Sequence, residues 1–375
     1  MPEDGAPGTA GGPGLDTTRG DAPVEDGGPV RGGGPTGRPT LSQQLGAGTL
    51  TALSAVVSRL PAAPLHRIAH AAGAGWYLAA PRQRALARAN LRRVCQWLDA
   101  NGMASPRVQA AAHHPAALER LLRDAFGHRA RYYLEVARNA RVDRAFLEHH
   151  LVLADPVVAE RELGRAGPVI VVGLHLGALE LPAQYITVIH GRHAVAPMET
   201  LRNAPLQAYM ERSRGRTGIE IIPTRGARGA IERALARGEL VGFIADRGVS
   251  GPGAPVRLFG APARLPAGPG IIAVDSGVPA CVAAAIRSGW SDYRAFVVPL
   301  DPPPPGPRHE RARRFLDQVA RAFEILIAQA PEQWWSIFQP IWDDLARDAA
   351  GMNAPARETP GGGRPEPART GRERA

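Results

Sequence analysis

The 375-residue chain contains no lysine; all 45 basic residues are arginine, set against 35 acids. That absence excludes every chemistry that needs an ε-amine, including a Lys-bearing phosphate loop, a kinase-type Lys and a Schiff base. Two cysteines, Cys95 and Cys281, are too few for a disulfide scaffold or a thiolate zinc cluster. Aromatic residues are scarce at 5%, while the 43 Gly and 36 Pro are plentiful and concentrate towards the ends. Residues 1–40 are Gly and Pro at 19 positions and show no apolar periodicity, so they are expected to be disordered, as is the stretch 351–375. The first segment carries a net −3 and the last a net +2, which leaves about +11 on residues 41–350.

That charge is concentrated. Between Pro81 and Ala140, Ala-rich helical stretches hold eleven Arg against four acids. Such a face suits nucleic acid, an anionic membrane surface, a phosphorylated substrate or simple solvation. No helix-turn-helix, zinc finger or RNA-recognition aromatic pattern accompanies the Arg, which argues against nucleic acid. Two charge-free runs, residues 41–58 and 68–80, precede and adjoin it. Both are too short or too polar to span a bilayer, and neither has the plan of a signal peptide. They are expected either to lie on an anionic membrane surface or to pack against the protein's own core.

After residue 151, short β-branched runs alternate with helical stretches, the pattern of an α/β layer architecture. Strands are expected at 169–172, 194–196, 219–222, 241–245, 280–286 and 295–298, and helices at 179–189, 205–216, 226–237, 268–276 and 309–330. The expected organisation is therefore a tail (1–40), a helical basic membrane-associating region (41–150), an α/β core (151–350) and a second tail (351–375).

The leading candidate site is Gly167-Pro-Val-Ile-Val-Val-Gly-Leu-His-Leu-Gly-Ala-Leu-Glu180. An apolar strand ends at Gly173, His175 follows on a loop, and Glu180 lies five residues on. Loops at strand C-termini are where open α/β sheets carry their sites, and a His ordered by a carboxylate is a general-base arrangement. The His-x4-acid spacing also occurs at His114 with Glu119 and at His150 with Asp155, but only His175 follows an apolar strand. A helix starting near Leu176 would offer free N–H groups to an oxyanion. No Gly-x-Ser-x-Gly elbow occurs, which argues against a serine nucleophile. The His190 and His193 pair lacks the carboxylates or thiolates that would complete a metal site. Trp334, Trp335 and Trp342 with Phe338 are expected to close the core, line a ligand channel or form an interfacial patch.

The ordered blocks His-x4-Glu, PMETLRNAPLQAYMERSRGRTGIEIIP, LVGFIADRG, VRLFGAPARLPAGPG and PEQWWSIFQPIW resemble the bacterial lipid A lauroyl/myristoyl acyltransferase family, and within it the phosphatidylinositol mannoside acyltransferases. The resemblance implies a central mixed β-sheet flanked by helices, of glycerolipid-acyltransferase type. It implies an enzyme on the cytoplasmic face of the plasma membrane, needing no cofactor, that moves an acyl chain from acyl-CoA or acyl carrier protein to a glycolipid hydroxyl. Residue by residue, it implies a catalytic role for His175, Glu180 and Glu199, and substrate binding by Gly177, Arg214, Asp246, Arg247 and Phe259. Which glutamate pairs with His175 stays open. Relatives carry Asn-Trp where this chain has Ala178-Leu179, a departure that bears on the acceptor more than on the chemistry. Acylation of a lipid A precursor and an inactive lipid-binding role are the other readings.

Overall fold

The computed structural model describes residues 54, 56–57, 59–200, 203–247 and 253–345. The expected tails 1–40 and 351–375, and nearly all of the charge-free run 41–58, lie outside the described residues.

Helices come first: α1 (Ala62–Ala79), α2 (Pro81–Ala100), α3 (Pro106–His113), α4 (Pro115–Arg138) and α5 (Arg144–His150). Proline opens α2, α3 and α4, where its fixed φ fits the first turn and its missing N–H costs nothing. Ser105 caps α3 and Asp143 caps α5 by accepting from the N–H three residues on. Helices α1 and α4 pack closely enough that a Cβ on Gly73 would lie 2.6 Å from the Gly127 Cα. The charge-free run 68–80 thus forms most of α1, with one face buried and the other open.

The remainder alternates: β1 (Leu151–Leu153), α6 (Pro156–Leu163), β2 (Val169–Gly173), α7 (Leu181–Gln184) running into a π-turn (Tyr185–Ile189), β3 (Ala194–Met198), α8 (Ala204–Gly215), β4 (Ile219–Pro223), α9 (Ala227–Ala236), β5 (Leu240–Ile244), the hairpin β6 (Ala254–Leu258) and β7 (Ala261–Leu265), α10 (Gly268–Ser276), β8 (Ala280–Arg287), β9 (Tyr293–Leu300) and α11 (Arg308–Gln329). Seven strands form one sheet in the order β1-β9-β8-β2-β5-β3-β4. The run from β8 to β4 is parallel, whereas β9 is antiparallel to β8 and parallel to β1. The architecture is an α/β fold with a central mixed sheet flanked by helices, and all six expected strands are present.

Period-2 alternation sends the strand side chains to two cores. Ile170, Val172, Val241, Val282 and Ala284 join Leu91, Phe126, Phe323 and Trp334, so the N-terminal helices and the sheet share one core. Val169, Val171, Leu240, Cys281 and Ala283 meet Leu147, Leu163, Tyr185 and Ile186 on the other face. The expected strand boundaries shift by a residue or two, and β1 and the β6–β7 hairpin are additions. Hairpin residues Pro255 and Pro262 and a turn at Phe259-Gly260 carry no ordinary strand or Asn-Gly signal.

Candidate active site

Strands β2 and β5 lie side by side in parallel, with Gly173 in register with Ile244. Two residues beyond each strand end, His175 and Asp246 must therefore meet. The His175 Nδ1–H donates to Asp246 Oδ1 at 2.7 Å, and the His175 backbone N–H donates to Oδ2 at 3.0 Å. Oδ2 also accepts from Trp334 Nε1 and Ser336 Oγ, each at 2.7 Å. Asp246 is only 1% exposed. Burial alone would raise its pKa, but the His175 charge and these donors outweigh that and hold it at about 2. An ionised carboxylate can only accept, so the proton sits on Nδ1 and His175 Nε2 is left as the basic nitrogen. Edge-on contact with Trp335, 4.6 Å between centroids, and a bond from the Trp335 N–H to the His175 carbonyl fix the ring further.

The loop after His175 is not a helix start. The N–H groups of Leu176, Gly177 and Ala178 donate to the carbonyls of Leu174, Gln333 and Ala285, so they are not free for an oxyanion as expected. Gly177 has φ +59°, and a Cβ there would approach the Ala285 carbonyl oxygen to 2.1 Å. Its role is close packing of the loop onto β8, and it does not line the cavity beside His175.

Glu180 is turned to another partner. Its carboxylate takes a forked contact from Arg214, with Nη2 to Oε1 at 2.7 Å and Nε to Oε2 at 3.1 Å. Burial would lower the Arg214 pKa, but Glu180 raises it. The expected alternatives for holding the imidazole, Glu180 and Glu199, are thus replaced by Asp246, itself expected to bind substrate. Glu199 and Arg247 both line the cavity with His175. Among the described residues neither has an ion-pair partner. Phe259, expected at the substrate, is buried among Trp97, Trp334 and Trp342 and backs the indole that holds Asp246. Its φ of +48° is strained for a non-glycine residue; with Gly260 it forms the tight β6–β7 turn, and its N–H donates to Glu324 at 2.6 Å. Trp334, Trp342 and Phe338 close the core, while Trp335 faces the cavity.

The cavity has a volume of about 830 Å³. From His175 it runs across the ends of β2 and β5, over a floor that includes Val171, Gly173, Gly242, Ile221 and Ala283. A floor of small and aliphatic groups below one oriented imidazole suits a long apolar chain carrying a reactive end. Among the described residues, no cluster of three His, Cys, Asp or Glu side chains is placed to hold a metal ion.

Residues 108–343 match the family described as bacterial lipid A biosynthesis acyltransferase. The chain belongs to that family. No protein of curated function matches it closely enough to refine the assignment. As a member of the lipid A biosynthesis acyltransferases the chain is an acyltransferase, and the matched span contains His175, Asp246, Glu180, Glu199, Arg214 and Arg247. Sequence reasoning singled out Asp246 from the Asp-Arg block, but its partnership with His175 rests on strand register between positions 71 apart in sequence, which no local spacing encodes.

Proposed function

We propose that this acyltransferase moves a long fatty acyl chain from acyl-CoA to a hydroxyl of a glycolipid such as phosphatidylinositol mannoside, with His175 as general base. The observation that carries the reading is an imidazole locked by a buried carboxylate at the end of a long apolar cavity. A sugar hydroxyl is too weak an acid to attack a thioester unaided. In the proposed step, His175 Nε2 takes the hydroxyl proton as the oxygen bonds to the thioester carbonyl carbon. Asp246 stabilises the imidazolium that forms. Collapse of the tetrahedral intermediate breaks the C–S bond, and the proton passes from His175 to the departing thiolate. The acyl chain lies along the β2–β5 floor. Arg247 is the cavity cation left to meet an anionic group, because Arg214 is already engaged by Glu180 and Arg228 by Glu232 and Asp275.

Attachment to the anionic cytoplasmic face of the membrane fits the open face of α1, where Ile68 is 63% and Leu78 71% exposed and Arg67 is the one charged side chain. No helix among the described residues is long and apolar enough to cross a bilayer. The mannoside acceptor and the CoA donor rest on the likeness of the PMET block to the mannoside-lipid branch. Purified chain supplied with palmitoyl-CoA or palmitoyl-acyl carrier protein, and with phosphatidylinositol mannoside or a lipid A precursor, is predicted to form an acylated mannoside from the CoA donor, read by mass spectrometry. Product only from the carrier protein and the lipid A precursor would replace both assignments.

A further inference from the structure

A second cavity, of about 580 Å³, shares Tyr132, Leu179 and Glu180 with the acyl cavity but does not include His175. Its chemistry is different. Gln184 is fully buried there; its amide donates to Asn139 Oδ1, while its own Oε1 has no donor. His66 is 3% exposed, and its Nδ1 is also without a partner. Burial, reinforced by Arg131, draws the His66 pKa down to about 4, so its ring is neutral and able to donate at one nitrogen and accept at the other. Buried polar atoms without partners are costly, and two in one cavity mark a place where a polar group belongs.

Arg138 and Arg141 line the same cavity. Arg138 donates to the Leu60 carbonyl and has no carboxylate, and Arg141 has no partner among the described residues. Burial and repulsion from Arg141 both lower the Arg138 pKa. Behind them, Arg131 and Arg287 share a single carboxylate, Glu135. Of the carboxylates in the lining, Glu180 is paired with Arg214, Glu135 with two arginines, and Asp143 accepts from the Phe146 N–H, so Arg138 and Arg141 are the lining cations without a carboxylate among the described residues; the rings of Tyr132, Phe146 and Tyr293 form walls. Aromatic faces accept the apolar edge of a polyol ring, amide and imidazole groups pair with hydroxyls, and guanidinium forks bind phosphate.

We propose that this cavity binds a phosphorylated polyol, the head of the acceptor lipid, with its phosphate on Arg138 and Arg141 and its hydroxyls on Gln184 and His66. Calling that ligand the acceptor rests on the acyltransferase reading above, whereas the binding itself does not.

Glucose 1-phosphate is a suitable soluble probe. Titrated calorimetrically into the full chain carrying His175→Ala, it is expected to bind at least about tenfold more tightly than glucose or inorganic phosphate alone. Arg141→Gln, at an exposed position that leaves the fold undisturbed, is expected to weaken it about tenfold, and Arg138→Gln with Arg141→Gln further still. Gln184→Met should weaken glucose 1-phosphate while leaving inorganic phosphate alone. In the transfer assay, the arginine variants should raise the acceptor KM about tenfold. The proposal is overturned by absence of saturable binding, by binding indifferent to both arginines, or by displacement with CoA at concentrations below those needed with the sugar phosphate, which would make this the donor's nucleotide site. Arginine-dependent binding in a chain that transfers no acyl group would leave the site standing and remove the enzyme reading. Transfer with an unaltered acceptor KM in the arginine variants would do the reverse.

Discussion

Asp246 and Glu180 are both carboxylates beside the same cavity, and single substitutions separate their duties. Asp246→Asn leaves a group of the same size that no longer demands a proton on Nδ1 and no longer stabilises the imidazolium. It is predicted to lower kcat by roughly 10²–10⁴-fold. Glu180→Gln instead leaves Arg214 buried without its partner, so the expected effect is a loss of stability of about 3–5 kcal/mol, read by denaturant unfolding, with Glu180→Gln and Arg214→Met together recovering much of it. The reverse pattern, a stable but inactive Glu180→Gln and an active Asp246→Asn, would return the orienting role to Glu180. Asp246 titrates at about 2, below its unfolded value, so its contribution to stability is complete above about 4 and is lost as pH falls towards 2. It stays ionised at any pH where the enzyme is assayed near neutrality.

At the scale of elements, the α1–α4 pair has an acid sensitivity of its own. His66 and His70 on α1 and His128 on α4 all have lowered pKa values, with burial the leading cause in each. Arg131 acts in the same direction on all three. For such groups the unfolded chain binds more protons than the folded one below about 6.5. Stability is therefore complete above that pH and falls as pH drops towards the folded value, about 4 for His66. Melting temperatures taken from pH 7 to pH 5 should fall, and His128→Gln should flatten that slope; a slope unchanged in that variant would contradict the assignment. The strands β2, β3, β4, β5, β8 and β9 were legible because each is a short β-branched or Ala-rich run between turn residues. The β6–β7 hairpin was not, since its prolines and the strained Phe259 oppose the local pattern, and packing under Trp97 and Trp342 with bonds to Glu324 and the Trp342 indole holds it. The helix expected at 179–189 starts late and widens into a π-turn. Gly177 and Ala178 spend their N–H groups on the segment at 333 and on β8, contacts made by distant parts of the chain. His175 was legible from its place after a buried strand; its partner was not, because strand order is a property of the whole sheet.

The molecule is basic, and Arg67 is the one charged side chain of α1. Its net charge of +10 and the open face of α1 lie on the same chain, and on the membrane reading they act together: Arg side chains draw the protein to an anionic surface and α1 sinks its apolar residues into it. Ile68→Asp with Leu78→Asp is predicted to reduce flotation with anionic vesicles at least about tenfold, from the burial lost at two large side chains. Flotation unchanged in the double variant would move the membrane contact elsewhere. The central claim concerns the His175 imidazole, and it is tested most directly by the rate of acyl ester formation from palmitoyl-CoA and phosphatidylinositol mannoside by the wild-type chain and by His175→Ala, compared at matched melting temperature. The account predicts ester from the wild type and a fall of at least about 10³-fold in the variant; equal rates in the two proteins would contradict it.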